Sequence, residues 1–351
     1  MRNDEQQERF FAKLKRELGT TITLALEDPS VIEIMVNPDG SIWIERLGKG
    51  MERNAQKMAR ENLLAALGTI ASLLETRITD TSPIIEGELP LDGSRVEGMI
   101  PPVVENPCLV IRRRASAVFP LSRYLKEERI TDGIYRFLRT AILEKKNILI
   151  AGGTGSGKTT FTNAILNELA LLSPNERLVI MEDTVELQCS MENKLSMRTT
   201  DTVNMNKLLR TAMRSRPDRI IVGEVRGGEA LDLLKSWNTG HPGGVATLHA
   251  NSAEAALIRL EQLISEVNQH KMPELIAEAI DVIIYLQRYG QGGPRVTDVI
   301  KVIGFNGVKY DTISLMGEDD LSVPSILLQG DKDLSLSMEE EFSKITVQRD
   351  E

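Results

Sequence analysis

Residues 152–159 read Gly-Gly-Thr-Gly-Ser-Gly-Lys-Thr, which matches the phosphate-binding pattern G-x-x-x-x-G-K-[ST]. An apolar run at 147–151 precedes this stretch, and a helix-compatible segment at 159–172 follows it. A strand, a glycine-rich loop and a helix start form the context in which the pattern binds phosphate. Backbone N–H groups of such a loop converge on phosphate oxygens, and the helix N-terminus adds partial positive charge. The sequence therefore predicts a nucleotide phosphate loop.

The side chains of this loop have separate predicted tasks. Lys158 is expected to reach the β- and γ-phosphates, and the Thr159 hydroxyl is expected to bind Mg²⁺. A chance glycine turn is the alternative, but the flanking strand and helix argue against it. After Lys158 there is no Asn-Lys-x-Asp run for guanine, so ATP is the expected nucleotide. The predicted nucleotide-binding residues of the loop are Gly153, Thr154, Gly155, Ser156, Gly157, Lys158, Thr159 and Thr160.

Length and composition are those of an ordinary globular protein with room for two domains. The chain has 351 residues, of which 41% are hydrophobic and 26% charged. No apolar run reaches the length that spans a bilayer, and the polar N-terminus predicts no secretory signal. Cys108 and Cys189 are the only cysteines, so we expect two free thiols in a reducing cytosol.

The net charge of −9 lies mostly in one segment. From Asp311 to the end there are 11 acidic and 3 basic residues, which leaves 40 acidic and 39 basic residues elsewhere. A near-neutral body gives no general argument for nucleic-acid binding, so direct binding of nucleic acid is not predicted. Residues 316–351 lack a sustained hydrophobic period, and we interpret them as an acidic, disordered or loosely docked tail.

Hydrophobic patterning predicts a small α+β unit over residues 1–115. The predicted opening helix, 5–18, is expected to pack its apolar side on this unit, with lipid contact as the alternative. A second helix is predicted at 55–74, and strands are predicted at 31–36, 41–46, 87–91, 94–100 and 108–112. Residues 116–124 are predicted to be a linker.

Residues 125–315 alternate between apolar runs and helical stretches, which predicts an α/β domain with a mostly parallel sheet. A turn at 290–294 and a closing hairpin, 295–304 with 308–314, are expected near its end. The predicted strands are 147–151, 178–181, 219–222, 245–248 and 282–286. The predicted helices are 132–145, 159–172, 204–215, 228–238 and 252–267.

Polar residues follow three of these predicted strands. Glu224 follows 219–222, and Glu182 and Asp183 follow 178–181. His249 follows 245–248. Because the carboxyl ends of parallel strands meet at one sheet edge, these side chains are expected beside the phosphate loop. Carboxylates there can organise Mg²⁺ and the attacking water, and a neutral imidazole can bind phosphate or water. Helix-capping acids and a structural loop histidine are the alternatives.

Arginines could reach the nucleotide from the first unit. Arg95 lies in one of its predicted strands, and Arg112, Arg113 and Arg114 end it just before the predicted linker. The planar guanidinium makes bidentate bonds to phosphate and stays charged. A solvated face paired with glutamates is the alternative.

The motifs together resemble the secretion, or traffic, ATPases of type II and type IV secretion, pilus assembly and conjugation. That family has a phosphate loop, an aspartate box, an atypical Walker B and a histidine box in this order. Two N-terminal stretches, 37–51 and 91–103, also share the resemblance. The four boxes here read GGTGSGKTT (152–160), RLVIMEDTVEL (177–187), RTAMRSRPDRIIVGEVRGGEA (210–230) and TGHPGGVATLHAN (239–251). The combination is most similar to the conjugal-transfer branch, the TrbB-type ATPases.

The resemblance implies a RecA-like ATPase domain, a PAS-like N-terminal domain and a homohexameric ring with nucleotide between the domains. It implies Glu224 as the Walker B glutamate and metal ligand, Glu182 as the aspartate-box acid and His249 as the histidine-box residue. Arg95 and one of Arg112 to Arg114, taken as Arg113, correspond to N-terminal arginines that reach phosphate; the choice among the three is open.

The resemblance also implies partners and a location. These are inner-membrane channel and coupling proteins, with the chain cytoplasmic and peripheral at the inner membrane. Pilus motors usually continue with an aspartate after the position of Arg226, whereas Gly227-Gly228 follows here, which favours the conjugation branch. The strand also ends in Glu224 without a preceding aspartate, so its role as metal organiser or water polariser is open.

Two other classes of function compete with a secretion motor. A nucleic-acid motor of the RecA or helicase type has the same phosphate loop, but the chain has only 4% aromatic residues to stack bases. A small-molecule or nucleotide kinase needs an arginine-rich lid, and a dedicated domain before the phosphate loop is unusual for it.

Overall fold

The computed structural model describes residues 4–47, 49–114, 118–200, 202–288 and 294–316. In these ranges no helix is both long and apolar enough to cross a membrane. Two sheets organise the chain, one with six strands and one with eight. The predicted turn at 290–294 and the predicted tail, 316–351, lie outside the described residues except for Pro294 and Met316.

The first unit is an antiparallel sheet in the order β3-β2-β1-β6-β5-β4, with two helices on one face. The helices pack against each other, and the sheet alternation aims one set of side chains at them. The strands are β1 (Val31–Val36), β2 (Ser41–Arg46), β3 (Gly50–Lys57), β4 (Ile84–Glu88), β5 (Arg95–Met99) and β6 (Cys108–Arg112), and the helices are α1 (Asp4–Glu27) and α2 (Arg60–Leu73).

The core of this unit explains which face meets the helices. Ile34, Leu109 and Ile111 are buried from the strands, and Leu67 and Ile70 are buried from α2. Because successive side chains of a strand alternate, the residues between them point to the opposite face, where most charges lie. The α+β prediction is confirmed, and this second face is left to meet another part of the chain.

The opening helix is longer than predicted. It continues from residue 18 to Glu27 across a break at Gly19, where φ is 77° and ψ is 167°. Glycine adopts this positive φ without the steric cost that other residues incur. Leu14 and Leu18 before the break, and Ile22 after it, are buried in the domain core, which confirms packing on its own unit.

The prediction of a helix over 55–74 was wrong at its start. Residues Gly50–Lys57 form β3, whose Lys57 pairs with Ser41 of β2, and α2 begins only at Arg60. The strand is polar and largely exposed because it lies at the sheet edge, so no apolar period marks it. Strand β4 also begins earlier than predicted, at Ile84.

The second unit is a sheet in the order β14-β13-β12-β7-β11-β10-β8-β9. The strands from β12 to β9 pair in parallel, and β13 and β14 add an antiparallel hairpin, as predicted. The strands are β7 (Ile148–Gly152), β8 (Leu178–Glu182), β9 (Lys194–Arg198), β10 (Arg219–Val225), β11 (Val245–Leu248), β12 (Val282–Arg288), β13 (Pro294–Phe305) and β14 (Tyr310–Ser314).

Helices cover both faces of this sheet. One buried cluster joins the strands to α6, α7, α8 and α9, and the other joins them to α3, α4 and α5. Two-sided burial gives the inner parallel strands β7, β8, β10, β11 and β12 their continuous apolar runs, so the prediction of these strands is confirmed. The helices are α3 (Leu121–Lys126), α4 (Asp132–Leu143), α5 (Lys158–Leu172), α6 (Met205–Met213), α7 (Glu229–Asn238), α8 (Ala253–Ser265) and α9 (Pro273–Ala279).

Three elements of this unit were not predicted: β9, α9 and α3. Helix α3 begins at Leu121, inside the stretch predicted as linker, and Leu121 and Tyr124 are buried in the core of the second unit. The Tyr124 ring meets Phe161 edge-on at 5.0 Å between centroids. Residues 118–120 thus lead directly into the second unit, while the exact domain limits stay a prediction.

Candidate active site

The phosphate loop joins the end of β7 to the start of α5. Gly155 and Gly157 have φ values of 69° and 86°, in the left-handed region that favours glycine. A Cβ at Gly152 would lie 2.5 Å from the Leu286 carbonyl oxygen, and one at Gly157 would lie 2.5 Å from Pro294 Cγ. The glycines are therefore needed both for the turn and for the close approach of β12 and β13.

Lys158 is buried at the first position of α5. Its Nζ donates to the carbonyl oxygens of Gly152 at 2.9 Å and Gly153 at 3.0 Å. Burial lowers the pKa of Lys158, and Glu224 opposes that effect. The loop carbonyls hold the ammonium at the mouth of the loop, where a phosphate oxygen would offer it a charged acceptor.

Glu224 and His249 meet at the carboxyl ends of β10 and β11, as predicted. Glu224 Oε1 lies 2.8 Å from His249 Nε2, and the other carboxylate oxygen accepts from Arg226 Nε. Lys158 Nζ lies 3.4 Å from His249 Nδ1. Burial first, and then Lys158, lower the pKa of His249, which favours the neutral imidazole. In that form Nε2–H donates to Glu224, and Nδ1 is left as an acceptor facing Lys158.

Glu182 is only 4% exposed and has a different environment. Its Oε1 accepts the backbone N–H groups of Glu186 and Leu187, each at 2.8 Å. Burial raises its pKa, although these two N–H groups act in the opposite direction. Glu182 therefore holds the loop that follows β8. Asp183, the other predicted strand-end acid, accepts from the Thr199 hydroxyl at 3.0 Å and pairs with Arg226 at 3.4 Å.

Sequence reasoning missed Glu186. The loop held by Glu182 brings its Oε2 to 3.2 Å from the Thr159 hydroxyl. Glu186 is also close enough to raise the pKa of Lys158, although burial is the largest influence on that amine. The only signal in the sequence was its position four residues after Glu182, within the stretch 177–187.

Among the candidate arginines of the first unit, some are directed toward the active site and others contact their own unit. Arg112 acts on both Lys158 and His249, helping burial to lower their pKa values. Arg95 is the cross-strand partner of Arg112, so both side chains leave the same face of the sheet. Arg113 instead donates to the Asp28 backbone oxygen and lies 3.9 Å from Asp92. The geometry thus favours Arg112 over the predicted Arg113.

Arg114 contacts its own unit and also influences Glu182 of the second unit. Its guanidinium pairs with Glu88 at 3.2 Å, and it opposes the burial that raises the pKa of Glu182. A Cβ at Gly93 would lie 3.0 Å from this guanidinium, so Arg114 packs closely on its own domain.

The residues around Thr159 fit a magnesium ion. Mg²⁺ prefers hard oxygen ligands and keeps waters and substrate phosphates in its shell. The Thr159 hydroxyl and the Glu186 carboxylate supply such oxygens side by side, and Glu224 supplies a carboxylate next to Lys158. Within the described residues no cluster of three or more His, Cys, Asp or Glu forms a complete protein cage.

A cavity of about 350 Å³ opens beside Glu224 and His249. Its remaining lining is Val225, Arg226, Leu248 and Arg259. The other predicted loop residues differ in exposure: Gly153, Thr154 and Gly155 are exposed, Thr160 is half-buried and Ser156 is buried.

Comparison with known proteins places the chain. The family description "Type II/IV secretion system protein" matches residues 16–290. The chain belongs to this family. It is 50% identical to the "Conjugal transfer protein TrbB" of Rhizobium radiobacter over 304 residues, which cover 87% of this chain and 94% of that protein. It is 32% identical to the type IV secretion system protein PtlH of Bordetella pertussis over 78% of this chain and 91% of that protein.

Solved structures agree on the fold. The Legionella pneumophila ATPase DotB superposes with a TM-score of 0.54 and 21% identity, covering 82% of this chain and 77% of that one. The pilus retraction motor PilT with bound ADP gives a TM-score of 0.57 and 17% identity, covering 84% and 80%. The predicted family and fold class are confirmed, and the chain is a nucleotide-binding ATPase of this family.

Proposed function

We propose that this chain hydrolyses Mg-ATP between its two domains and passes the resulting domain motion to a conjugative type IV secretion apparatus. The observation that carries the proposal is one cluster: Lys158 contacts His249, and His249 contacts Glu224. Arg112 of the first unit is close enough to help burial lower the pKa values of Lys158 and His249. Such an arrangement places cations for phosphate beside a carboxylate that can act on water.

The phosphate loop and Lys158 bind the triphosphate in this proposal. Its backbone N–H groups and the start of α5 supply partial positive charge, and Lys158 exchanges its two carbonyl partners for phosphate oxygens. Arg112 and Arg95 approach from the opposite side of the cleft. Cations on both sides stabilise the charge that builds on the transferred phosphoryl group.

Glu224 and His249 act on the attacking water. The carboxylate of Glu224 is held by His249 and Arg226 on its two oxygens, which fixes its orientation. An oriented carboxylate aligns the water and accepts its proton, while the neutral His249 donates Nε2–H to Glu224 and keeps Nδ1 as an acceptor for the Lys158 ammonium. Glu182 contributes indirectly because it positions the loop that carries Glu186.

Thr159, Glu186 and Glu224 are the residues that would hold Mg²⁺. Bound there, the ion would neutralise phosphate charge and orient the leaving group. The Thr159–Glu186 hydrogen bond keeps both oxygens on the same side of the loop. Glu224 serves either as a metal ligand or as the base that orients the water. The two roles predict a different dependence of ATPase activity on the Mg²⁺ concentration.

The conjugative role and the ring are inferred from relatives. A protein called conjugal transfer protein TrbB aligns with this chain over 94% of its own length. We infer a homohexamer that works at the cytoplasmic face of the inner membrane and contacts channel and coupling proteins there. The near-neutral body gives no support for direct nucleic-acid binding.

The test combines hydrolysis, mass and transfer. Wild-type chain should release phosphate from Mg-ATP, and Lys158→Ala should lose that activity while keeping the wild-type melting temperature. Native mass measured with and without Mg-ATP should show six copies in the ring. A conjugation strain lacking the gene should regain plasmid transfer with wild type and not with Lys158→Ala.

Three outcomes would contradict this proposal. Wild-type turnover in Lys158→Ala would remove the phosphate loop from the chemistry. A monomer under both conditions would remove the ring. Strong stimulation of hydrolysis by single-stranded DNA, with a steep salt dependence, would favour the nucleic-acid motor instead.

A further inference from the structure

A line of five charged residues crosses the face of the first sheet that lies opposite α1 and α2. Adjacent strands pair Glu45 with Glu33, Glu33 with Arg112, Arg112 with Arg95, and Arg95 with Glu88. Directly paired residues share a face of a sheet, so all five side chains leave the face opposite α1 and α2. We call Glu45, Glu33, Arg112, Arg95 and Glu88 the charged row.

Both ends of the charged row contact the second domain. Glu45 Oε1 lies 2.9 Å from Arg288 Nη2, and Glu88 Oε1 lies 3.2 Å from Arg198 Nη1. Arg288 is the last residue of β12 and Arg198 is the last residue of β9. Since β12 through β9 are parallel, both arginines lie at the carboxyl-end edge that carries the active site.

The two sheets match in order and in width. Strand β12 and strand β9 bound the parallel part of the second sheet, with β7, β11, β10 and β8 between them. At normal strand spacing the charged row spans about 19 Å and this edge about 24 Å, a difference that two arginine side chains can bridge. Arg112 is the central residue of the row, and the parallel pairing of the two end contacts puts it opposite the middle strands of this edge, whose ends carry Glu224 and His249.

One of these contacts is next to the phosphate loop. A Cβ built at Gly155 would lie 3.9 Å from Arg288 Nη1, so the Arg288–Glu45 pair joins the first domain to the rim of the loop. The Glu45 side chain is 15% exposed, against 43% for Arg288, so the carboxylate is the better shielded partner. Shielding from water strengthens an ion pair relative to an exposed one.

We propose that the ion pairs Arg288–Glu45 and Arg198–Glu88 are positioning contacts: they set the charged row across the cleft and so hold Arg112 over the nucleotide phosphates. This inference rests on the proposed ATPase site and adds residues to it. Removal of either ion pair loosens the attachment of the first domain to the second. The interaction of Arg112 with phosphate is weakened as a result.

The experiment is a double-mutant cycle on the full-length chain. Its four proteins are wild type, Glu45→Gln, Arg112→Ala and the double variant. Each is titrated with a fluorescently labelled ATP analogue in the presence of Mg²⁺, and its kcat and KM for ATP hydrolysis are measured. Arg112→Ala should weaken binding about ten- to a hundred-fold, as expected for a lost charge-assisted phosphate bond. Glu45→Gln should weaken it about three- to five-fold.

The decisive result is in the double variant. If Glu45 acts by placing Arg112, Glu45→Gln should change ATP binding by less than about 1.5-fold once Arg112 is alanine. A three- to five-fold effect that persists in Arg112→Ala would overturn the proposal. Tighter ATP binding in Glu45→Gln would also overturn it, because Glu45 would then be withholding Arg288 from phosphate.

Two further variants separate positioning from general stability. Arg198→Gln should reproduce the Glu45→Gln effect with smaller size, since Arg198 is 58% exposed. Glu52→Gln is the matched control, because Glu52 pairs with Arg46 at 3.0 Å inside the first domain and should leave binding unchanged. All variants should keep the wild-type melting temperature.

Failure of this inference differs from failure of the proposed function. An active wild type that loses activity in Lys158→Ala, together with unchanged binding in Glu45→Gln, would reject only the positioning contacts. A wild type without Mg-ATPase activity, or one whose activity survives Lys158→Ala, would reject the function itself.

Discussion

Glu224 and Glu182 occupy the ends of two paired parallel strands, β10 and β8, yet their surroundings are opposite. Glu182 is buried, and its carboxylate is used by two backbone N–H groups of its own loop. Glu224 faces the cleft, where His249 and Arg226 hold its two oxygens. Equivalent places on a sheet edge therefore give one carboxylate that shapes the site and one that faces the reacting groups.

The difference comes from what lies beside each strand end. A Cβ on Gly223 would lie 2.9 Å from Glu182 Cγ, so the absence of a side chain there makes room for Glu182 beneath the edge. Glu224 is the next residue of β10, in the segment between Val222 and Val225 where the register against β11 shifts, and its carboxylate meets His249 and Arg226. A glycine and a local irregularity of the strand thus separate a structural acid from a cleft-facing acid.

The largest expected effect concerns Glu224. Glu224→Gln keeps the shape but removes the carboxylate that orients and deprotonates water, so kcat should fall about 10²- to 10³-fold. The KM for ATP should change little, since Lys158 and the loop bind the phosphates. Steady-state phosphate release checks both values.

Glu182→Gln is the matched control for that substitution. Its amide oxygen can still accept the two backbone N–H groups, so kcat should stay within about five-fold of wild type. A larger loss in Glu182→Gln than in Glu224→Gln would reverse the two roles assigned to these acids.

A substitution in the loop that Glu182 holds is expected to have an effect of intermediate size on the magnesium requirement. Glu186→Gln should raise the Mg²⁺ concentration for half-maximal activity about ten-fold, because a carboxylate beside Thr159 is replaced by a neutral amide. A magnesium titration at saturating ATP measures this. Asp183→Asn, in the same loop but paired with Thr199 and Arg226, should leave the magnesium requirement unchanged. An equal shift in both variants would assign the effect to the loop rather than to Glu186.

The contrast between central and edge strands also explains how much of the fold could be predicted. Strands β7, β8, β10, β11 and β12 are buried on both faces, so continuous apolar runs marked them. Edge strands β3 and β9 are largely exposed and polar, so hydrophobic patterning passed over both. The sequences of β3 and β9 contain no continuous apolar run, so only their backbone pairing in the structure defines them as strands.

The site divides in the same way. Lys158, Glu224 and His249 could be predicted because a simple rule puts the carboxyl ends of parallel strands at one edge. Glu186 required the path of a loop, which depends on the buried Glu182. The choice of Arg112 over Arg113 required knowing which face of the first sheet meets the second domain. Alternation separates the two arginines, but the sequence does not say which face is covered.

The smallest expected effect is on the pKa of His249. Burial and Lys158 lower this pKa below the ordinary histidine value of 6.5, and Glu224 opposes them. A lowered pKa means that the proton binds only at more acidic pH, so the imidazole stays neutral as pH falls through 6.5. ATPase activity should accordingly persist below that pH. Glu224→Gln removes the opposing charge and should move the midpoint further down, whereas Lys158→Met should move it up.

Histidine NMR titration can measure both shifts, because His241 and His270 are the only other histidines. The His249→Gln spectrum identifies the His249 signal. An upward shift in Glu224→Gln would mean that its carboxylate does not stabilise the imidazolium, against the 2.8 Å contact. No change in Glu182→Gln is expected, since that carboxylate is turned toward its own loop. The imidazole thus reports which of the two glutamates faces the cleft.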